Sequence, residues 1–243
     1  MFATPIKRLD AMNELGPFDR NSLDDEFAQP AVRRSDVVVP IRSLGENHRA
    51  RIAAHLKMLD AHDRYFRFGF AANDEQIQHY VEGLNFDRDE IFGIYNRRLE
   101  LIAMAHLAYS SDTRLNACSE FGVSVLVQAR GRGYGARLFE RAVMHARNQG
   151  VRMMFVHVLS ENAAMLKIAR DAGATVERDG AESEAHLNLP PATLNTQLAE
   201  IVEEQMAQAN YQIKVQAKHF RDTLNRLHAV WYPAPNDRVG RSE

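Results

Sequence analysis

Along the chain, apolar and polar positions fall into runs of different period. From Val37, "VVVPIRSL" is an apolar run of strand length, and "ENHRARIAAHLKMLDAHD" then sets Ile52, Leu56 and Leu59 on one helical face. "NDEQIQHYVEGL" predicts a second, shorter helix. Three strand-like runs follow, "EIFGIYNRR", "LELIAMAHLAYS" and "ACSEFGVSVLV", separated by the turn segments "NRR" and "SSDTRLN". Runs so spaced predict an antiparallel meander.

Beyond a Gly-rich turn, Leu138 to Gln149 alternate with helical period and Gly150 stands where a helix stops. "VRMMFVHVLS" then reads as a buried strand. "SENAAMLKIARDAGA" is a second strand-to-helix step, with Ser160 as candidate N-cap and Gly173 as the stop. "ATVERD" and "EAHLNL" are the last predicted strands. After Pro190 and Pro191 the composition turns to Gln, Ala and Glu, and apolar residues recur at Leu198, Val202, Met206, Ala209, Ile213, Ala217, Phe220, Leu224 and Leu227. Spacings of three and four predict one long helix whose stripe either folds back on the core or forms a homodimer.

Composition changes this picture little. The 243 residues, 45% hydrophobic and 26% charged, suffice for one core with appendages. Residues 1–35 mix charges with Pro5, Pro17 and Pro30 and read as an arm; residues 36–189 read as the folded domain and 190–243 as a helical extension. A net charge of −2 gives no general reason to expect nucleic acid as partner. The single cysteine, Cys118, excludes an intrachain disulfide and a multi-cysteine zinc site, so no metal is expected and a cytoplasmic setting is. "LIAMAHLAY" is far shorter than the ~18 residues of a membrane span, so no membrane partner is expected.

The chemistry gathers at "QARGRGYGARLFERA", three glycines and four arginines between a strand and a helix. Backbone N–H groups at such a turn, backed by a helix N-terminus, bind phosphate. A nucleoside-triphosphate loop needs Lys-Ser/Thr after its last glycine, and Ala136-Arg137 stand there instead. Gly131, Gly133 and Ala136 match the dinucleotide pattern, but they follow a meander rather than the first strand of a βαβ unit. Arg130-x-x-Gly133-x-Gly135 resembles the R/Q-x-x-G-x-G/A signature of the GNAT N-acetyltransferases. "SENAAMLKIARDAGA", with Asn162 and Gly173, is similar to that family's next segment. "DRYFRFGF" and "SEFGVSV" resemble the acetyltransferase domain of bacterial protein-lysine acetyltransferases over roughly residues 36–189.

The resemblance implies an α/β fold: a mixed, mostly antiparallel sheet flanked by helices, with splayed fourth and fifth strands, plus the long C-terminal helix. It implies acetyl-CoA as cosubstrate. Main-chain groups near Val123 and Val125 would meet the pantetheine arm, and Arg130, Gly131, Gly133, Gly135 and Ala136 the pyrophosphate, with Asn162 beside them. The glycines are expected to admit close backbone approach. Glu120 occupies the place of the catalytic base. A lysine amine, with a pKa of ~10.4, must lose a proton before it attacks.

His106 and His157 are rival bases on predicted strands. Cys118 is a rival nucleophile, although the family transfers directly in a ternary complex. Many members carry a tyrosine as acid at the position of Ala169, which leaves that role to water or another group. The expected acceptor is a primary amine, on protein lysine or a small molecule. The other reading is a non-catalytic acyl-CoA-binding sensor or interaction protein.

Overall fold

The apolar runs pair into a single seven-stranded sheet, ordered β1-β2-β3-β4-β5-β7-β6. The strands are β1 (Arg42–Ser43), β2 (Glu90–Tyr95), β3 (Leu101–Tyr109), β4 (Cys118–Val125), β5 (Met153–Leu159), β6 (Thr175–Asp179) and β7 (Glu182–Asn188). The computed structural model describes residues 39–110 and 118–231, with side chains as far as His219. The expected arm, most of the segment "SSDTRLN" and the side chains of Phe220, Leu224 and Leu227 lie outside these.

Every strand pair is antiparallel except β4 with β5. That parallel pair has only three rungs, Cys118↔Met153, Ser119↔Met154 and Glu120↔Phe155. Beyond them β4 stays with β3 to Val125, while β5 follows β7 from Met153 to Leu159. The two strands therefore diverge from Glu120 onward, each held by its other neighbour. The mixed sheet and its fork match the expected fold.

Helices α1 (Arg49–Lys57), α2 (Ala61–Phe68) and α3 (Asp74–Glu82) lie on one face, α4 (Tyr134–Asn148) on the other, and α5 (Ala163–Asp171) packs beside β5, β6 and β7. Alternation along β4 builds both layers: Ser124 bonds His55 of α1, whereas Phe121 packs edge-on against Phe139 of α4 at 5.0 Å. Both phenylalanines are fully buried. Truncating either to Ala costs about 3–5 kcal/mol.

Three local expectations are corrected. The first strand is only two residues long. The predicted single helix over residues 46–63 is a 3₁₀ turn, α1 and α2, because the Asp60 carboxylate accepts from the Asp63 N–H at 2.8 Å and starts a new helix. Likewise Asn162, not Ser160, caps α5 by accepting from Met165 N–H; the Ser160 hydroxyl instead bonds Ser183 Oγ at 2.8 Å.

The last helix, α6 (Leu194–Trp231), folds back on α4 and β1, but not by the predicted stripe. Leu198, Val202, Met206 and Ile213 are exposed, and the inner seam is Thr196, Glu200, Glu204, Ala207, Gln208, Tyr211 and Lys214. The reason is the surface it meets. Arg141 of α4, nearly sealed from solvent, bonds Glu200 at 2.9 Å and Glu204 at 3.5 Å, while Arg42 bonds Gln208 and lies over the Tyr211 ring. A buried guanidinium requires carboxylates more than α6 requires its leucines covered. Among the described residues no helix is long and apolar enough to cross a membrane.

Candidate active site

Glu120 is the last paired residue of β4 before the fork. Its side chain shares a face with Gly122 and opens into a cleft of about 890 Å³, whose walls include Arg67 and Phe68 of α2, Tyr80 of α3, His106 of β3 and His157 of β5. The latter part of "DRYFRFGF", Phe66 to Phe70, thus stands at the cleft. Val123 lines it as well; Val125 lies two residues further along the same strand, and both stand beyond the last rung to β5. On that side their main chain has no strand partner among the described residues.

From Leu126 the chain makes one 3₁₀ turn over Val127–Ala129 and reaches the glycines. Gly131 and Gly133 both have φ of +73°, and Gly133 is the N-cap of α4, with no side chain capping it. The first helical bond is Arg137 N–H to the Gly133 carbonyl at 3.1 Å. The N–H groups of Tyr134, Gly135 and Ala136 therefore lack intrahelical acceptors and stand at the positive end of a 15-residue helix. An anion suits this arrangement.

The glycines turn out to be needed for two different reasons. A Cβ on Gly131 or Gly133 would meet nothing within 4 Å, so the left-handed backbone, not crowding, demands them. A Cβ on Gly135 would stand 3.2 Å from Ile168 Cδ1, so this glycine seats α4 against α5. Arg130 does not aim its side chain at the turn: its guanidinium bonds the Asp63 carboxylate and, at 3.2 Å, the Val125 carbonyl. Its N–H is also taken, by the Val127 carbonyl. Asn162 lines the cleft with its side-chain oxygen committed to capping α5.

The rival residues are otherwise engaged. His157 faces Glu184 at 3.5 Å. Burial pushes the Cys118 thiol up, which disfavours the thiolate. Ala169 is fully buried in α5, so core packing fills the position at which the resemblance led one to look for a tyrosine acid. His106 is clamped between Tyr80 and Asp89, at 2.8 and 3.2 Å. Arg67 entered the sequence reading only as part of "DRYFRFGF", and Tyr80 and Asp89 escaped it because no motif joins them; α2, α3 and the loop before β2 bring the three together only in the fold. Among the described residues no three His, Cys, Asp or Glu side chains are placed to hold a metal ion.

Comparison with known proteins bears on this geometry. Residues 56–174 match the acetyltransferase (GNAT) family model. The GNAT domain of S. lividans PAT superposes with a TM-score of 0.54 at 20% identity, covering 63% of this chain and 95% of its own. A GNAT-family acetyltransferase from Streptococcus pneumoniae gives 0.52 at 15% identity, covering 62% and 98%. An acetyltransferase from Salmonella typhimurium, solved with its cofactor acetyl-CoA, gives 0.50 at 16% identity, covering 65% and 97%. No curated protein sequence matches the chain significantly. Structural likeness at this identity establishes the fold, and residues 56–174, which hold Glu120, the glycine turn and α5, are what this chain shares with the acetyltransferase (GNAT) family.

Proposed function

We propose that the cleft moves the acetyl group of acetyl-CoA directly to a primary amine, on a protein lysine or a small molecule, within a ternary complex. The observation that carries this reading is the fork itself: β4 and β5 part at Glu120, and the uncapped N-terminus of α4 lies at the far end of the unpaired β4 edge. The unpaired main chain of Val123 and Val125 suits the pantetheine amides. The N–H groups after Gly133, set by Gly131 and Gly133, suit the pyrophosphate; Arg130, through Asp63, holds α2 against that turn. Acetyl-CoA supplies the activated acetyl thioester.

Glu120 acts as base, taking a proton from the acceptor ammonium so that a lone pair is free to attack. Across the cleft, Glu177, Asp179, Glu182 and Glu184 outnumber Arg178, which favours a cationic acceptor. Glu120→Gln is expected to lower kcat about 10²–10⁴-fold with acetyl-CoA affinity kept, measured by thiol release and calorimetry. Unchanged turnover would remove Glu120 from the base role. For assembly, the outer seam of α6 is read as the contact between two copies, since Leu194, Leu198, Ile201, Val202, Met206 and Ile213 are all exposed on it.

A further inference from the structure

The cleft holds a second chain of proton-carrying groups beside Glu120, and its hydrogen-bond directions follow from the donor inventory. Asp89 is buried and accepts from Arg88 Nε at 2.7 Å and from the Tyr109 N–H at 3.2 Å. Burial opposes its charge, but hydrogen bonds from His106 and Arg88 outweigh this and hold the carboxyl at about 2. A carboxylate only accepts, so His106 Nε2 carries a hydrogen toward Asp89 Oδ2 at 3.2 Å. In the neutral ring Nδ1 is then an acceptor, and the Tyr80 hydroxyl donates to it at 2.8 Å. Arg67 Nη2 donates to the same phenolic oxygen, again at 2.8 Å. One lone pair of Tyr80 Oη is left over.

The fold holds this chain at the acceptor end. His106 stands opposite Gly122 across β3 and β4, two rungs from the Ala108–Glu120 pair. Gly122 leaves the space that Arg67 fills: a Cβ there would come within 2.9 Å of the guanidinium. Tyr80, His106, Asp89, Arg67 and Glu120 all line the one cleft. Burial raises the Tyr80 phenol above its ordinary value against the pull of Arg67, so the proton rests on the oxygen at neutral pH. The charged and titratable groups around the pair are Arg67 of α2, His79 of α3, Arg88 and Asp89 before β2, and Glu120 of β4.

We propose that Tyr80 is a second catalytic proton acceptor for the acetyl transfer, with His106 and Asp89 as the positioning groups that draw its proton away. The step balances: an N–H bond of the acceptor ammonium breaks as an O–H bond forms on Tyr80, while the original Tyr80 proton bonds to His106 Nδ1. The imidazolium is held by Asp89 and loses its proton to solvent once the product has left. Arg67 stabilises charge building on the phenolic oxygen during the exchange. This rests on the acetyl-transfer reading of the cleft, and it gives that cleft two routes for the proton instead of one.

The test has an arm that needs no acceptor. In the full chain labelled with ¹⁵N-histidine, His106 is expected in the Nε2–H form with a hydrogen-bonded Nδ1, and Tyr80→Phe moves Nδ1 toward the shift of a free acceptor nitrogen. A His106 with its hydrogen on Nδ1 overturns the proposal. The kinetic arm uses saturating acetyl-CoA with Nα-acetyl-lysine amide as acceptor probe. Tyr80→Phe is expected to lower kcat at least about tenfold with acetyl-CoA affinity unchanged. His106→Gln shifts the acid limb of the pH profile in the parent chain and does nothing further once Tyr80 is Phe. A Tyr80→Phe variant with parental kcat and pH profile, while Glu120→Gln is impaired, overturns the relay alone. Failure of the parent chain to bind acetyl-CoA overturns the reading beneath it.

Discussion

At His55, burial and two hydrogen bonds decide the protonation state. The ring is sealed from solvent, donates through Nδ1 to the Leu101 carbonyl at 2.9 Å and accepts at Nε2 from Ser124 at 2.8 Å. Desolvation lowers it to about 4, against an ordinary value of 6.5. The unfolded chain therefore binds a proton below 6.5 that the native state refuses until about 4, so stability is complete above 6.5 and falls with pH through that window. The loss approaches about 3 kcal/mol in total. Asp89 and Glu200, both held at about 2, add their own losses only once the pH drops into the carboxylate range. Urea denaturation at stepped pH should show this slope, and His55→Gln should flatten it; the same slope in both would contradict the assignment. Neither His55 nor the Tyr80–His106–Asp89 chain was legible in the sequence, because each partner comes from a different element.

The elements themselves divide by how local their causes are. The meander, the strand after Gly150, the stop at Gly173 and the Gly-rich turn were legible because alternation and positive-φ glycine act within a few residues. The break between α1 and α2 was not. Met58 and Leu59 are helix-compatible, and one capping bond from Asp60 outweighs them. Tyr134 likewise begins α4 a turn earlier than the apolar period showed, because Gly133 alone sets the start. At that start a residue with a Cβ is strained: Gly133→Ala is expected to cost about 1 kcal/mol. Because it also turns the helix-end N–H groups, acetyl-CoA affinity should fall several-fold in calorimetry while Glu120 chemistry is retained at saturation. A Gly133→Ala chain with full affinity would show that the turn does not hold the cosubstrate.

For the whole molecule, α6 has one face docked on the domain and one apolar face exposed. The apolar seam was legible from its period, but the docking face depends on Arg141 and His145 against Glu200 and on Arg42 against Gln208, pairs that the linear pattern cannot relate. Burial pushes the Glu200 carboxyl up, but hydrogen bonds from His145 and Asn148 and the Arg141 charge prevail and hold it at about 2. Glu200→Ala should therefore cost about 1–3 kcal/mol by thermal or chemical denaturation, since it strips a buried cation of its nearest partner. Leu198→Glu with Met206→Glu should instead leave stability alone and convert a dimer to a monomer in sedimentation velocity. A parent chain that sediments as a monomer would contradict the assembly reading. The central claim is that the fork between β4 and β5 binds acetyl-CoA, and isothermal titration of the purified chain with acetyl-CoA, alongside coenzyme A and NAD, tests it most directly. Saturable binding of acetyl-CoA at micromolar or tighter affinity is expected, and none of NAD; no binding of acetyl-CoA, or binding of NAD alone, would contradict this.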